Sequence, residues 1–307
     1  MKDFHRGNSQ REFHQSFRSQ SAMEYLMTYG WAILIIAVVL AALFELGVFN
    51  PMTFAPKASP GSCQVVRPEG AGTTNFISLE GECNGELPQY VAQFNGATHN
   101  IISVQGTIPA LSGPMTVTMW VYWYGGTTSG FSSSGAFTYG DYCGRGFAIT
   151  VEPLGMDACD SDNYFSGLSA PKDRWAFIAF TLTGMSANSI RTWYLNTQNV
   201  TQPLINSYSA PVPTLVYMGD DSVGTAGEYT DFNGSIANVQ FYNTSLSANE
   251  IKTLYLEGIG GAPINIQNLV GWWPLNGNTN DYSGNGNNGM ANGVTYTSNW
   301  YSGYTPP

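Results

Sequence analysis

The strongest hydrophobic signal is one uninterrupted apolar run near the start of the chain. The twenty residues from Tyr25 to Phe44 carry no charge, and as an α-helix they would extend about 30 Å, the hydrocarbon thickness of a bilayer. Asn50 and Pro51 are expected to end the helix. We therefore predict a membrane-inserted helix over residues 20–50.

Beyond this helix the pattern changes to short alternating runs that are typical of β-strands. Apolar residues alternate with other residues, and clusters of Gly, Pro, Asn and Ser separate the runs, as in antiparallel sandwiches. The predicted strands are Thr116 to Tyr124, Trp175 to Leu182, Ile190 to Leu195, Thr214 to Met218 and Ser235 to Tyr242. The predicted fold class is mainly β, with an N-terminal long hydrophobic α-helix followed by an antiparallel β-sandwich.

One short helix is expected within this β pattern. Ser247 and Glu250 have the spacing of a capping box, and Ile251 and Leu254 lie on one apolar face. Gly258 supplies the stop.

Charge is distributed unevenly along the chain. Only 10% of the 307 residues are charged, with 11 basic and 21 acidic residues. The first nineteen residues hold four of the bases and two of the acids, which leaves seven bases and 19 acids for the remainder. A basic leader before an apolar helix stays in the cytoplasm, so the part after Asn50 is expected outside. Because that part is acidic and repels phosphates, we expect no nucleic acid partner.

Four cysteines, Cys63, Cys83, Cys143 and Cys159, all lie in the exported part. An oxidising environment allows disulfides there, and four cysteines allow three pairings. Proximity in sequence favours Cys63 with Cys83 and Cys143 with Cys159. Structural zinc is a poor alternative because the chain has no CxxC pair.

The residues around the start of the helix resemble a known export signal. The stretch SQSAMEYLMTYGWAILII, which begins at Ser19, is similar to the class III signal peptide of archaeal type IV pilin-like proteins. The resemblance implies a basic leader over residues 1–19 that prepilin peptidase removes between Ser19 and Gln20. It also implies that the new ammonium group of Gln20 pairs with the Glu24 carboxylate, since either charge alone is costly in an apolar setting.

The same resemblance implies a filament. The pilus assembly machinery would move the helices of identical subunits out of the membrane. The helices would then pack as the dry core of a homopolymer. A Pro-rich linker over residues 51–62 would hold the outer domain away from that core. The alternative is an anchored monomer in which Glu24 marks the helix start at the membrane interface.

Four segments of the exported part resemble the laminin-G-like, concanavalin-like jelly roll. They are FNGATHNIISV (Phe94 to Val104), MTVTMWVYW (Met115 to Trp123), RWAFIAFTL (Arg174 to Leu182) and FNGSIANVQFYNTSLSANEI (Phe232 to Ile251). Their order and spacing are similar to those of the family. The domain over residues 63–307 is therefore expected to adopt that sandwich.

The last part of the chain resembles the segment that normally begins this fold. The stretch LVGWWPLNGNTNDYSGNGNNGMANGVTY follows the other landmarks here, from Leu269 onward, instead of preceding them. We interpret it as a circular permutation in which residues 269–300 complete the chain's own sheet beside Val91 to Asn95. The alternatives are donation of the tail to a neighbouring subunit and an incomplete second domain.

An oxygen-rich loop in this tail has the opening spacing of a calcium loop. Asp281, Ser283 and Asn285 stand at alternate positions before Gly286. The closing acid is missing because the twelfth position is Asn292. A calcium (Ca2+) site at the first three residues is one hypothesis, and a plain turn without any cofactor is the other.

Three sequons follow from the residue order in the exported part. They make Asn199, Asn233 and Asn243 candidates for N-glycosylation. The alternative is that the three sequons occur by chance in a chain that is rich in Asn, Ser and Thr.

The lectin-like resemblance suggests a surface glycan as ligand. Exposed aromatic side chains could stack on a sugar, and the candidates are Tyr124, Tyr139 and Tyr164. The long Gly- and Ser-rich segment from Gly125 to Gly146 is the expected variable binding surface.

No catalytic apparatus is recognised in the sequence. Concanavalin-like hydrolases use paired carboxylates, but no ExDxE string occurs, and the exported part has a single His for triad chemistry. The predicted function is a non-enzymatic subunit of an archaeal type IV pilus-like filament, membrane-inserted before assembly and then displayed outside for adhesion. The alternatives are a monomeric membrane-anchored glycan-binding protein and a concanavalin-like glycoside hydrolase.

Overall fold

The computed structural model describes residues 13–46, 55–97, 100–104, 108–126, 135–141, 145–157, 164–208, 215–219 and 231–307. The chain divides between Ala55 and Pro56 into two units. The first unit holds a long helix, and the second holds the β-strands and a short helix.

Helix α1 covers Phe13–Glu45 and is apolar around its circumference from the middle of the helix onward. Its segment Met27–Glu45 has a mean hydropathy of 2.3, and none of it is buried. A helix of this length without a polar face is suited to a bilayer or to the interior of an assembly.

The described part of α1 begins before the predicted start. The helix starts at Phe13 rather than at Gln20, because residues 13–19 contain no Gly or Pro that would interrupt it. The bond between Ser19 and Gln20 therefore lies within helical backbone. The predicted end at Asn50 and the side chain of Glu24 lie outside the described residues.

The second unit is built mainly from short strands. The described strands are β1 (Lys57–Ala58), β2 (Cys63–Val66), β3 (Ser78–Gly81), β4 (Leu87–Pro88), β5 (Val91–Asn95), β6 (Ile101–Val104), β7 (Met115–Trp123), β8 (Gly135–Asp141), β9 (Arg145–Val151), β10 (Leu154–Asp157), β11 (Tyr164–Phe165), β12 (Trp175–Leu182), β13 (Ile190–Leu195), β14 (Gln198–Pro203), β15 (Val216–Met218), β16 (Asn233–Tyr242), β17 (Leu269–Trp273), β18 (Gly289–Asn292) and β19 (Thr295–Thr297). All five predicted strands are confirmed, with ends that differ by no more than two residues.

Two antiparallel sheets form the predicted sandwich. The first sheet has the order β11-β10-β9-β8-β15-β6-β18, and the second has the order β14-β13-β12-β7-β16-β5-β19. Strand β17 also joins the second sheet, since it pairs with the end of β16 that β5 leaves uncovered.

Alternation along β7 explains how the core is divided. Val117, Met119 and Val121 point between the two sheets into the main apolar cluster. Trp120 and Tyr122 point to the opposite face and join a second cluster, because successive side chains of a strand project to opposite sides. The second sheet is therefore covered on both of its faces.

Helix α2, which covers Ala248–Leu256, helps to cover the outer face. Its predicted capping box is confirmed, since Ser247 and Glu250 bond reciprocally to each other's backbone N–H groups. Ile251 and Leu254 are buried against the outer face of the second sheet.

The C-terminal tail contributes strands to both sheets of its own sandwich. Strand β18 pairs with β6 in the first sheet, and β19 pairs with β5 in the second. Strand β17, which precedes both in the chain, pairs with β16 in the second sheet. The tail also receives a hydrogen bond from the N-terminal hairpin, where the Val65 N–H donates to the Tyr282 carbonyl at 2.8 Å.

The segment before the sandwich is more ordered than the predicted linker over residues 51–62. Lys57–Ala58 form β1, which pairs in parallel with Leu87–Pro88. Two residues of the predicted linker therefore belong to the domain, because backbone pairing fixes them to β4.

One of the two proposed disulfides falls on described residues. Cys63 and Cys83 are joined, with a Cα–Cα distance of 5.0 Å, and this confirms the predicted pair. The bond closes the β2–β3 hairpin. Cys143 and Cys159 lie outside the described residues.

Candidate functional site

An open depression of about 190 Å³ lies on the outer face of the second sheet. We name it the tyrosine pocket. It is lined by Tyr122, Tyr124, Trp175, Ser235, Thr297, Asn299, Trp300 and Ser302. Its floor comes from the sheet, and its wall comes from the C-terminal tail.

The floor of the tyrosine pocket is a row of neighbouring residues across the sheet. Trp175 of β12 pairs with Tyr122 of β7, and Tyr122 pairs with Ser235 of β16. Ser235 in turn pairs with Gln93 of β5. Paired residues project to the same side of a sheet, so four strands place these side chains together.

Aromatic rings form most of the apolar surface in the pocket. The Tyr122 ring lies edge-on to the Tyr124 ring, with centroids 5.2 Å apart, and to the Trp175 ring at 5.7 Å. Trp300 meets Trp175 at 88° and 6.0 Å. Both tryptophans are buried and the two tyrosines are half-buried, so the tyrosines present the accessible faces.

The polar groups of the tyrosine pocket are neutral hydroxyls and amides. The Tyr124 hydroxyl accepts a hydrogen bond from Gln93 Nε2 at 3.1 Å and lies 3.4 Å from Ser235 Oγ. Burial raises the pKa of Tyr122, and the negative charge of Asp173 raises it further. Both effects keep this hydroxyl protonated to a higher pH than that at which an exposed tyrosine ionises. The eight lining residues are all uncharged.

Three hydrogen bonds hold the tail wall in place. The Trp175 side chain donates Nε1–H to the Trp300 carbonyl at 2.7 Å, and its backbone N–H donates to the Gly303 carbonyl at 3.0 Å. Trp300 donates Nε1–H to the Pro88 carbonyl at 3.1 Å. Because both indoles are buried and bonded, the wall is preformed.

A larger groove, of about 410 Å³, lies between the β2–β3 hairpin and the tail. Among the described residues that line it, only Arg67 is charged. Arg67 donates to the carbonyls of Ser283 at 2.9 Å, Ile266 at 2.9 Å, Leu269 at 3.1 Å and Thr73. Burial lowers the pKa of Arg67, while Asp281 opposes that shift. Since Arg67 is fully engaged in joining the hairpin to the tail, this groove is the weaker candidate for a ligand.

The predicted calcium loop is held together by protein hydrogen bonds. Asp281 Oδ1 accepts from the N–H groups of Trp272 at 3.0 Å and Ser283 at 2.9 Å. Its Oδ2 accepts from Ser283 Oγ at 2.8 Å and from the Asn287 N–H at 2.8 Å. The amide of Asn285 donates to the carbonyls of residues 269 and 270. These donors face the oxygens that a cation would need, so the arrangement does not fit calcium.

Two of the three tyrosines that were predicted to stack on a sugar have described side chains, and they lie in different environments. Tyr124 lines the pocket. Tyr139 is fully buried, and its hydroxyl donates to the Pro109 carbonyl at 2.6 Å. The prediction that Tyr139 is exposed is therefore wrong, because its position in β8 points it into the core. The side chain of Tyr164 lies outside the described residues.

The segment from Gly125 to Gly146 is not one continuous loop. Gly135–Asp141 forms β8 and Arg145–Val151 forms β9, and the two strands pair. The prediction of a long variable loop is wrong for these residues, because their apolar side chains contribute to the core. The remaining residues 127–134 and 142–144 lie outside the described part.

The three sequons differ in accessibility. Asn199 and Asn243 are exposed. Asn233 is half-buried, and its amide donates to the Gly125 carbonyl at 3.0 Å. Attachment of a glycan to Asn233 would require the loss of that contact.

Sequence reasoning missed most of the tyrosine pocket. Tyr122 stands two positions before Tyr124, and this spacing alone places both rings on one face of a strand. The contribution of Asn299, Trp300 and Ser302 has no comparable local signal, because it depends on how the tail folds back.

Residues 95–252 match the family model Laminin_G_3, described as the concanavalin A-like lectin/glucanases superfamily. A candidate carbohydrate binding protein from Bacteroides ovatus has a similar fold, with a TM-score of 0.52 and 16% identity. The similarity covers 72% of this chain and 63% of that protein, so this chain spans less than two thirds of its length.

A heptameric SAP-like pentraxin from Limulus polyphemus is also similar, with a TM-score of 0.48, 14% identity, and coverage of 68% of this chain and 94% of the pentraxin. No curated protein matches the sequence. At these identities the solved structures show the fold alone.

Proposed function

The chain belongs to the Laminin_G_3 family of the concanavalin A-like lectin/glucanases superfamily, and we propose that it is a type IV pilus-like filament subunit that displays a carbohydrate-binding sandwich. The observation that carries this proposal is the apolar helix α1 preceding a lectin-like domain. Lipid surrounds α1 in the precursor, and the α1 helices of identical subunits surround it after assembly.

The helix needs an apolar environment along its length. Its segment Met27–Glu45 is exposed throughout in the isolated chain, and its nineteen residues extend about 28 Å. Lipid provides such an environment before assembly, and the α1 helices of neighbouring subunits provide it afterwards. A helix that is apolar all round suits both states.

The residues before this segment supply the charge pair that assembly requires. Cleavage by prepilin peptidase between Ser19 and Gln20 would create an ammonium group four residues from Glu24. In a dry helical core the two opposite charges neutralise each other, either within one chain or between neighbours.

The second unit has the properties of an exported domain. Its Cys63–Cys83 bond is typical of an oxidising compartment. Its composition gives the exported part an excess of acids over bases, which favours solubility and disfavours anionic polymers.

The tyrosine pocket is the proposed carbohydrate site. Sugar rings present C–H faces that pack on aromatic rings and hydroxyls that bond to neutral polar groups, and the pocket offers both kinds of partner. The similar fold of the Bacteroides carbohydrate binding candidate supports this assignment at the level of fold. Because the lining is uncharged, the proposed ligands are neutral sugars.

The filament is tested by comparing two carboxylates of the same helix. Glu24→Gln removes the proposed partner of the Gln20 ammonium, whereas Glu45→Gln removes a carboxylate at the other end of α1. We expect Glu24→Gln to abolish surface fibres seen by electron microscopy while the chain stays in the membrane, and Glu45→Gln to retain them. N-terminal sequencing of fibres should begin at Gln20. Fibres that retain Met1, or that tolerate Glu24→Gln, would refute the filament.

The carbohydrate site is tested with an array of neutral oligosaccharides. Tyr124→Ala removes an accessible stacking face, and the matched control Phe165→Ala removes an exposed aromatic ring, 40% accessible, from the other sheet. Loss of a stacking contact worth about 1.4 kcal/mol should lower the sugar affinity of Tyr124→Ala about tenfold, whereas Phe165→Ala should bind like the unaltered chain. Equal binding by both variants would show that sugars bind elsewhere, and an absence of binding by the unaltered chain would refute the site.

The monomeric alternative requires that the leader stays on the chain. Helix α1 would then run from Phe13 through the intact Ser19–Gln20 bond, as in an uncut anchor. Recovery of the intact chain from membranes alone, together with sugar binding, would select a membrane-anchored glycan-binding protein.

A further inference from the structure

Strand β14 forms one edge of the second sheet. It pairs with β13 over Gln198–Pro203, and among the described strands none lies on its other side. The edge strand of a sheet presents unpaired N–H and C=O groups to solvent. The six residues of β14 are largely exposed, so this edge is accessible.

The edge lacks the usual features that prevent pairing with another chain. Charged side chains, Pro or a bulge commonly protect such strands, but β14 has no charged residue and its Pro203 stands at the very end. Ile190 and Ile205 beside it are 39% and 70% exposed. An uncharged edge with apolar neighbours is a template for the same strand of a second copy.

The sequon at Asn199 lies on this edge. Asn199 and Thr201 are both exposed and project from the same side of β14, because they are two residues apart. The Thr201 side chain faces Thr192 of β13, and their Oγ1 atoms lie 3.0 Å apart. Because both side chains of the sequon are exposed, the Asn199 amide is accessible for modification.

We propose that Asn199 carries an N-linked glycan and that this glycan prevents β14 from pairing with the β14 strand of a second copy. A bulky, hydrated group beside the strand blocks the approach of another backbone in the way that a lysine does elsewhere. This role requires export of the domain but neither filament formation nor a carbohydrate ligand, so it goes beyond the proposed function.

The chain offers a matched control and a rescue. Asn243 is also an exposed sequon, but it follows β16 inside the sheet, where its backbone N–H donates to the Asn268 carbonyl at 2.9 Å. Asn243→Gln removes a glycan without changing the edge. Thr201→Lys destroys the Asn199 sequon but places a charge on β14.

The experiment uses the full chain, made in a glycosylating archaeal host and extracted in detergent. Mass spectrometry of peptides determines occupancy at Asn199, and light scattering over a concentration series determines self-association. We expect a glycan at Asn199, and for Asn199→Gln a dissociation constant at least tenfold lower than that of the unaltered chain. Asn243→Gln and Thr201→Lys should both behave like the unaltered chain.

Three results would overturn the proposal. They are an unmodified Asn199, an Asn199→Gln variant that associates no more than the unaltered chain, and a Thr201→Lys variant that associates as strongly as Asn199→Gln. In the last case, loss of the glycan would promote association through some surface other than the edge. None of these results bears on the fibre or sugar-binding tests.

Discussion

Replacement of Asp281 by Asn distinguishes a loop held by hydrogen bonds from a cation site. The two side chains have nearly the same shape, but Asn replaces one carboxylate oxygen by an NH₂ donor. Oδ1 can keep the N–H groups of Trp272 and Ser283. The Asn287 N–H, now 2.8 Å from Oδ2, would face another donor.

The expected cost follows from these contacts. The hydrogen bond from the Asn287 N–H to a charged acceptor is lost, which is worth about 1.5–3 kcal/mol, and a second donor now faces that N–H group. The hydroxyl of Ser283 can rotate to accept from the new amide, so its contact survives in part. The free energy of unfolding should therefore fall by about 2–4 kcal/mol.

The assay is urea denaturation of the chain in detergent, followed by tryptophan fluorescence, with added calcium or with a chelator. Glu69→Gln is the matched control, because it removes the same charge from an exposed carboxylate with a single 3.3 Å contact to Asn75. We expect Glu69→Gln to change stability by less than about 0.5 kcal/mol. Calcium should leave the unaltered chain unaffected.

Two results would refute this reasoning. If Asp281→Asn costs no more than Glu69→Gln, the four hydrogen bonds do not stabilise the loop. If calcium raises the stability of the unaltered chain and Asp281→Asn abolishes that rise, the loop binds the cation, because a ligand that binds only the folded state stabilises it.

Three further predictions concern two tyrosines and the disulfide. Within the described residues the Tyr296 hydroxyl has no hydrogen-bond partner, so Tyr296→Phe should stabilise the fold by about 1 kcal/mol. Tyr139→Phe loses the hydrogen bond to the Pro109 carbonyl and should destabilise the fold by about 2 kcal/mol. Stability changes of the same sign for the two variants would contradict this reasoning. Burial raises the pKa of both tyrosines to about 12, so the unfolded chain, with a tyrosine pKa of about 10, ionises first and stability should fall as pH rises from about 10 to 12 in an alkaline denaturation series. Replacing Cys63 and Cys83 together by Ser should lower the free energy of unfolding by about 3 kcal/mol in urea, since the bond spans 20 residues, and an unchanged urea midpoint would mean that the hairpin does not depend on its cross-link.

The sequence alone determined the features that depend on local patterns. A run of uncharged residues specifies α1, short runs of apolar, aromatic and β-branched residues specify strands such as β12 and β13, and the spacing of Ser247 and Glu250 specifies the start of α2. The Cys63–Cys83 pair also follows from proximity in sequence. Each of these features depends on residues that are close together in the chain.

The tertiary structure alone decided which of these residues share a site. Tyr124 and Tyr139 both belong to aromatic stretches, but only the sheet register places one at a surface pocket and the other in the core. Trp300 reaches the pocket because the tail pairs with β5, which is some two hundred residues earlier in the chain. Likewise, Asp281 has the spacing of a calcium ligand, yet the backbone donors folded around it decide what its oxygens bind. Such contacts arise from long-range packing, which no short window of sequence contains.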